Sequence, residues 1–113
     1  MTVHSSVGEV MDEAIRDALV HYSEVVNALK ATSATFFYIN DLDQNVSVQL
    51  EASYDKDFPD VWNIGAPVVV ANGGGLGSKV VTDFYPFYRL KITPAGVPTV
   101  GEFDAWVGKC QPL

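Results

Sequence analysis

From Asn45 to Ala71 apolar and polar side chains alternate with a period of two. Val46, Val48, Leu50, Ala52 and Tyr54 fall on one side, Ser47, Gln49, Glu51 and Ser53 on the other. That period buries one set and leaves the other in water, so the spacing predicts a β-strand. It breaks at the acidic turn 55–60, where Pro59 is incompatible with a central strand. The pattern resumes at Val61 and Trp62 and runs into Val68, Val69 and Val70, giving strand, long turn, strand.

A different period governs the start of the chain. Met11, Ile15, Ala18, Tyr22, Val25 and Leu29 are spaced 4, 3, 4, 3, 4, a heptad seam that Ala14, Leu19 and Val26 widen. Ser6 and Glu9 form a capping box, and Asp12 and Glu13 suit the positive end of a helix dipole. The spacing therefore predicts one amphipathic helix from Val7 to about Lys30, roughly 36 Å long at the helical rise. So long a stripe overhangs a small sheet, and its surplus, through Met11, Ile15, Tyr22, Val26 and Leu29, is read as an oligomeric contact.

From Thr32 onward short strands alternate with turn signals. Thr35–Asn40 is apolar on both faces, as in a strand covered on each side. Lys79–Phe84 reads as a further strand. In the next, Tyr88, Leu90 and Ile92 oppose Phe87, Arg89 and Lys91; the last, Thr99–Val107, sets Phe103, Ala105 and Val107 against Asp104 and Trp106. Arg89 is a candidate cross-strand partner of Glu51 or Asp104. The fold class expected is α+β: a long N-terminal helix over residues 1–31, then over 32–113 a mainly antiparallel β-sandwich or jelly-roll of six to seven strands, the two forming one compact domain.

Bulk properties narrow the function. With 113 residues the chain can bury a core without disulfide or metal. It is 48% hydrophobic and 19% charged, with a mean hydropathy of +0.12, more apolar surface than folding alone requires. The net charge of −7 and seven scattered Lys and Arg residues argue against nucleic acid or an anionic membrane as partner. Cys110 is the single cysteine, which rules out an intrachain disulfide. The start has no basic segment followed by an apolar run, so export by a signal of its own is not expected, and neither is a membrane span.

Motifs with chemistry fall away one by one. Residues 72–78 lack the Gly-Lys-Ser/Thr of a phosphate loop and lead into a strand, so they read as a flexible loop. Asp41, Asp43 and Asn45 open like a calcium loop, but Val46 and Ala52 occupy the positions where an EF-hand needs Gly and Glu. A looser calcium site between that turn and Asp55, Asp57 and Asp60 stays open. His4 and His21 are too few for zinc, and no Ser or Cys has the setting of a nucleophile, so no catalytic residue, metal or cofactor is expected. Most aromatics, Tyr54 and Tyr88 among them, are assigned inward, with Trp62 capping the core. Phe58, Phe87 and Trp106 are the candidates for exposed contacts.

The alternating strand, Ser53-x-Asp55 with Trp62 in a turn, the valine-rich strand, the Gly loop and Tyr85–Ile92 before a Pro-containing turn together resemble small β-sandwich virion proteins of tailed phages. These include capsid decoration and fibre-associated modules. The likeness covers Thr35 to Val107. Lys56 and the Phe58-Pro59 insertion depart from its turn. It implies a non-enzymatic structural subunit of a virion, assembled in the host cytoplasm, that binds itself and other proteins of the particle at the joints of a capsid or related lattice. The alternative is a carbohydrate-binding or adhesion module using Trp62, Trp106 and Tyr85.

Overall fold

The computed structural model describes residues 3–81 and 85–112. Nine strands run through them: β1 (Val3–Glu13), β2 (His21–Tyr22), β3 (Val26–Asn27), β4 (Ser33–Asn40), β5 (Val46–Ser53), β6 (Trp62–Val70), β7 (Gly75–Val81), β8 (Phe87–Pro94) and β9 (Phe103–Pro112). They form two antiparallel sheets. One has four strands in the order β1-β9-β4-β7; the other has five, β2-β8-β5-β6 with β3 also pairing β8.

The N-terminal helix does not form, and there is no helix among the described residues. The chain is all β, so the α+β class is corrected while a sandwich stands. The physical reason is non-local. An isolated helix gains little in water, whereas β1 lays a long ladder along β9, from Val3 opposite Pro112 to Glu13 opposite Phe103. Residues 20–26, with three valines and Tyr22, favour extended backbone over helix. The heptad seam has another cause: Met11 lies in β1, Ile15 in the following loop and Val26 in β3, and all three turn into the core. Asp17 accepts the Leu19 amide in a local turn that a helix would not contain.

A bulge at Val10, between Glu9 and Met11, breaks the register of β1 on β9. Its carbonyl accepts the Glu24 amide at 2.8 Å, while Ser23 bonds Leu90 through both its amide and its hydroxyl. Between the sheets lie Phe36, Leu90, Ile92, Phe103 and Ala105, all without solvent exposure. The apolar sets of β5, β8 and β9 from Val46 to Ala52, Tyr88 to Ile92 and Phe103 to Val107 fall inward as their spacing predicts, while Glu51 and Ser53, expected in water, are buried as well. The buried Asn40 side chain donates to the Gln44 and Val70 carbonyls and accepts the Leu42 amide, fixing the strand ends.

Two sequence expectations change. The glycine stretch is a tight turn and then a strand: Gly73 and Gly74 take positive φ and donate to Leu42 and Asn40, and β7 begins at Gly75. Within β7, Gly77 is required because the Tyr38 ring lies where a Cβ would project. The strand expected over Lys79–Phe84 is present to Val81, and residues 82–84 lie outside the described residues.

Candidate functional site

Cross-strand register decides which side chains share the outer face of the four-stranded sheet. One row runs Val7, Gly108, Thr35, Val80; the next Glu9, Trp106, Phe37, Ser78; the third Asp12, Asp104, Ile39, Leu76. Among the described residues no element packs over this face. Val7 is 74% exposed, Leu76 76%, Val80 62% and Phe37 46%, with Trp106 and Ile39 half-buried beside them. The rows join because Gly108 has no side chain, so the Phe37 ring and the Val7 methyls approach it from either side. Thr35–Asn40, expected to be covered on both sides, is covered on one.

At the β9 start this face turns acidic. Carboxylate oxygens of Asp12, Glu102 and Asp104 lie within 4.8 Å of one another, the one such group among the described residues able to hold a metal ion. Burial, the hydrogen bond that its protonated form donates to Asp12 and repulsion by Glu102 raise Asp104 to about 6. Glu102 is raised too, first by its hydrogen bond with Asp12. Beside them a groove of about 330 Å³ is lined by Glu9, Met11, Asp12, Glu13, Tyr22 and Glu24. The sequence pointed to other acids. Asp43 is occupied by the amide and hydroxyl of Thr99, which hold it below the usual carboxylate range; Asn45 accepts from Asn72, and Asp55 caps its own loop.

The outer face of the five-stranded sheet is polar. Glu51 on β5 faces Arg89 on β8 and accepts its Nε–H at 2.8 Å, the cross-strand pair the sequence offers. The guanidinium lies between the rings of Tyr22, at 4.0 Å, and Phe58, at 4.2 Å. His21 completes this edge, its Nε2 2.7 Å from Asp17 and its Nδ1 3.5 Å from Glu13.

A third group stands at one end of the sandwich. Tyr54 and Trp62 meet edge to face at 6.0 Å between centroids, Trp62 and Tyr85 lie 6.4 Å apart, and Tyr85 contacts the buried Tyr88. Tyr54 is 56% exposed and Trp62 45%, so neither is the inward residue its position suggested. Trp106 is on the opposite sheet and joins none of them.

The residues assigned to an oligomeric contact are dispersed. Met11, Ile15 and Val26 are buried in the chain's own core, while Tyr22 and Leu29 are exposed at separate places. Among the expected exposed aromatics Phe58 is buried, at 8%, and Phe87 and Trp106 are half-buried. Val7, Phe37, Leu76 and Val80 were not singled out by sequence. The one signal was that Thr35–Asn40 is apolar on both faces.

No protein family model and no curated protein matches the chain. Among solved structures, the crystal structure of PBSX exported protein XepA superposes with a TM-score of 0.73 at 16% identity. The match covers 96% of this chain and 38% of that one, so the chain spans under two fifths of the other's length. The likeness is one of fold.

Proposed function

We propose that the protein is a non-enzymatic structural subunit of a phage particle, which self-associates and holds neighbouring subunits of a capsid or related lattice together. The observation that carries the reading is the uncovered apolar face of the four-stranded sheet, with Val7, Phe37, Leu76 and Val80 in adjoining rows. Contiguous apolar patches on soluble proteins mark contact surfaces, and a flat sheet face suits a second copy of itself. The fold it shares with PBSX exported protein XepA agrees with a phage-related setting. Light scattering after size exclusion tests it. An oligomer is expected, and Phe37→Ser with Val80→Ser should give a folded monomer. A monomeric native chain at high concentration would overturn the reading.

A carbohydrate-binding module is the second reading, favoured by the grouping of Tyr54, Trp62 and Tyr85. Sugar rings stack on such platforms, and Trp62→Ala should then abolish oligosaccharide-induced fluorescence quenching while Trp106→Ala leaves it intact. Trp106 has no part in that cluster.

A further inference from the structure

The Arg89 guanidinium is immobilised without being saturated. Its Nε–H goes to Glu51, whose side chain is 7% exposed, and its two flat faces are covered by Tyr22 and Phe58. Those contacts use one donor of five. Neither Nη atom has a hydrogen-bond partner among the described residues, although the side chain is only 19% exposed. A guanidinium sandwiched between two rings cannot swing away to find one. Its free edge therefore stays at the surface of the sheet in one orientation.

We infer that this edge is a binding site for a two-oxygen anionic group, a carboxylate or a phosphate, received by the Nη1 and Nη2 donors in a parallel fork. The fork fits either group, and its entropy has already been lost to the two rings. Lys91 lies two residues along the same face, opposite Tyr22 and Gln49, and adds a second cation beside Arg89. Tyr22, 47% exposed, offers a ring on which the body of the ligand can rest. Glu51 then acts as a positioning residue: it holds Nε and turns the opposite edge outward. The site lies on the five-stranded sheet and is independent of self-association through the other face.

Nitrogen-labelled protein titrated with sodium acetate and, separately, with inorganic phosphate tests the site, with chloride setting a constant ionic strength. A saturable shift of the Arg89 Nε–H resonance is expected in the millimolar range, about what two charge-assisted hydrogen bonds supply. The tighter of the two anions identifies the group. Arg16, whose Nη1 already donates to the Ile15 and Gly101 carbonyls, is the internal control. R89K keeps the charge and loses the fork, and should weaken binding about tenfold, read from the neighbouring backbone amides. Y22A should weaken it less, by loosening the guanidinium. No saturable shift with either anion, an equal response at Arg16, or undiminished binding by folded R89K would each overturn the assignment.

Discussion

The outer faces of the two sheets arise from the same two-residue alternation and end as opposite surfaces. On β8 the outward residues Phe87, Arg89, Lys91 and Thr93 are mostly polar, and the chain closes over them with Tyr22 from β2 and Phe58 from the β5–β6 loop. On β4 the outward Thr35, Phe37 and Ile39 are mostly apolar, and among the described residues no element packs over them. Here, then, the polar face is the one the chain shields and the apolar face is the one left open. Burying a charged group requires a partner held in place, so Glu51 and Arg89 bring rings with them. Leaving Phe37 and Leu76 in water costs apolar hydration that only a second molecule can remove.

Substitutions should separate the faces sharply. The largest loss is expected for Glu51→Ala, which leaves Arg89 between two rings with no counter-charge: about 3 kcal/mol, as for a broken buried pair. Equilibrium denaturation measures it, and a loss below about 1 kcal/mol would rank the pair with ordinary surface bridges. Gly77→Ala comes next. Its Cβ would strike the Tyr38 ring, which Phe103 backs at 6.1 Å and which therefore cannot retreat. Overpacking of this kind costs about 1–3 kcal/mol. An unperturbed midpoint would mean that β7, which presents Leu76 and Val80, is less firmly seated than the register indicates.

How much of this could be read from the residues follows from the range of the forces. The inward apolar sets on β5, β8 and β9 were legible, because a period of two is local. So was the pairing of Arg89 with Glu51 as one of two options. The first thirty residues were not: Met11, Ile15, Tyr22, Val25 and Leu29 fit a heptad, and only the distant β9 decides that Val3–Glu13 is a strand. The acidic trio escaped for a related reason, since Asp12 and Asp104 meet through that same unforeseen ladder, whereas the visible Asp43 and Asp55 bond within their own turns. Tyr54 and Trp62 show the limit of alternation at a sheet end, where an inward position opens to solvent.

On the open face the expected stability changes are small. Phe37→Ser should lower the unfolding free energy of the isolated chain by roughly 1 kcal/mol, because just over half of a side chain that is 46% exposed is covered, less than a core phenylalanine would lose. The same substitution should lower the mass found by light scattering. A large loss of stability with unchanged mass would show that Phe37 works within its own sheet, and would return the open face to the ordinary solvent surface.

The smallest effect concerns the acidic end of that face and is read through pH. Asp104 sits at about 6 against an ordinary 3.8, raised by burial, its hydrogen bond with Asp12 and the repulsion of Glu102. A carboxyl raised on folding holds its proton in the native state over a range where the unfolded chain has released it. Stability therefore falls as pH rises through that window, and the full penalty remains above it. Below about pH 4 both states are protonated at Asp104 and the penalty vanishes. Asp104→Asn removes the charge at every pH, so the variant should melt above the native protein at pH 7 and converge with it as pH falls towards 4. Added salt should narrow the gap at pH 7, since part of the penalty is repulsion across partly solvated space. Calorimetry of both proteins across that range decides it: a melting difference independent of pH would mean that Asp104 is not crowded by Asp12 and Glu102.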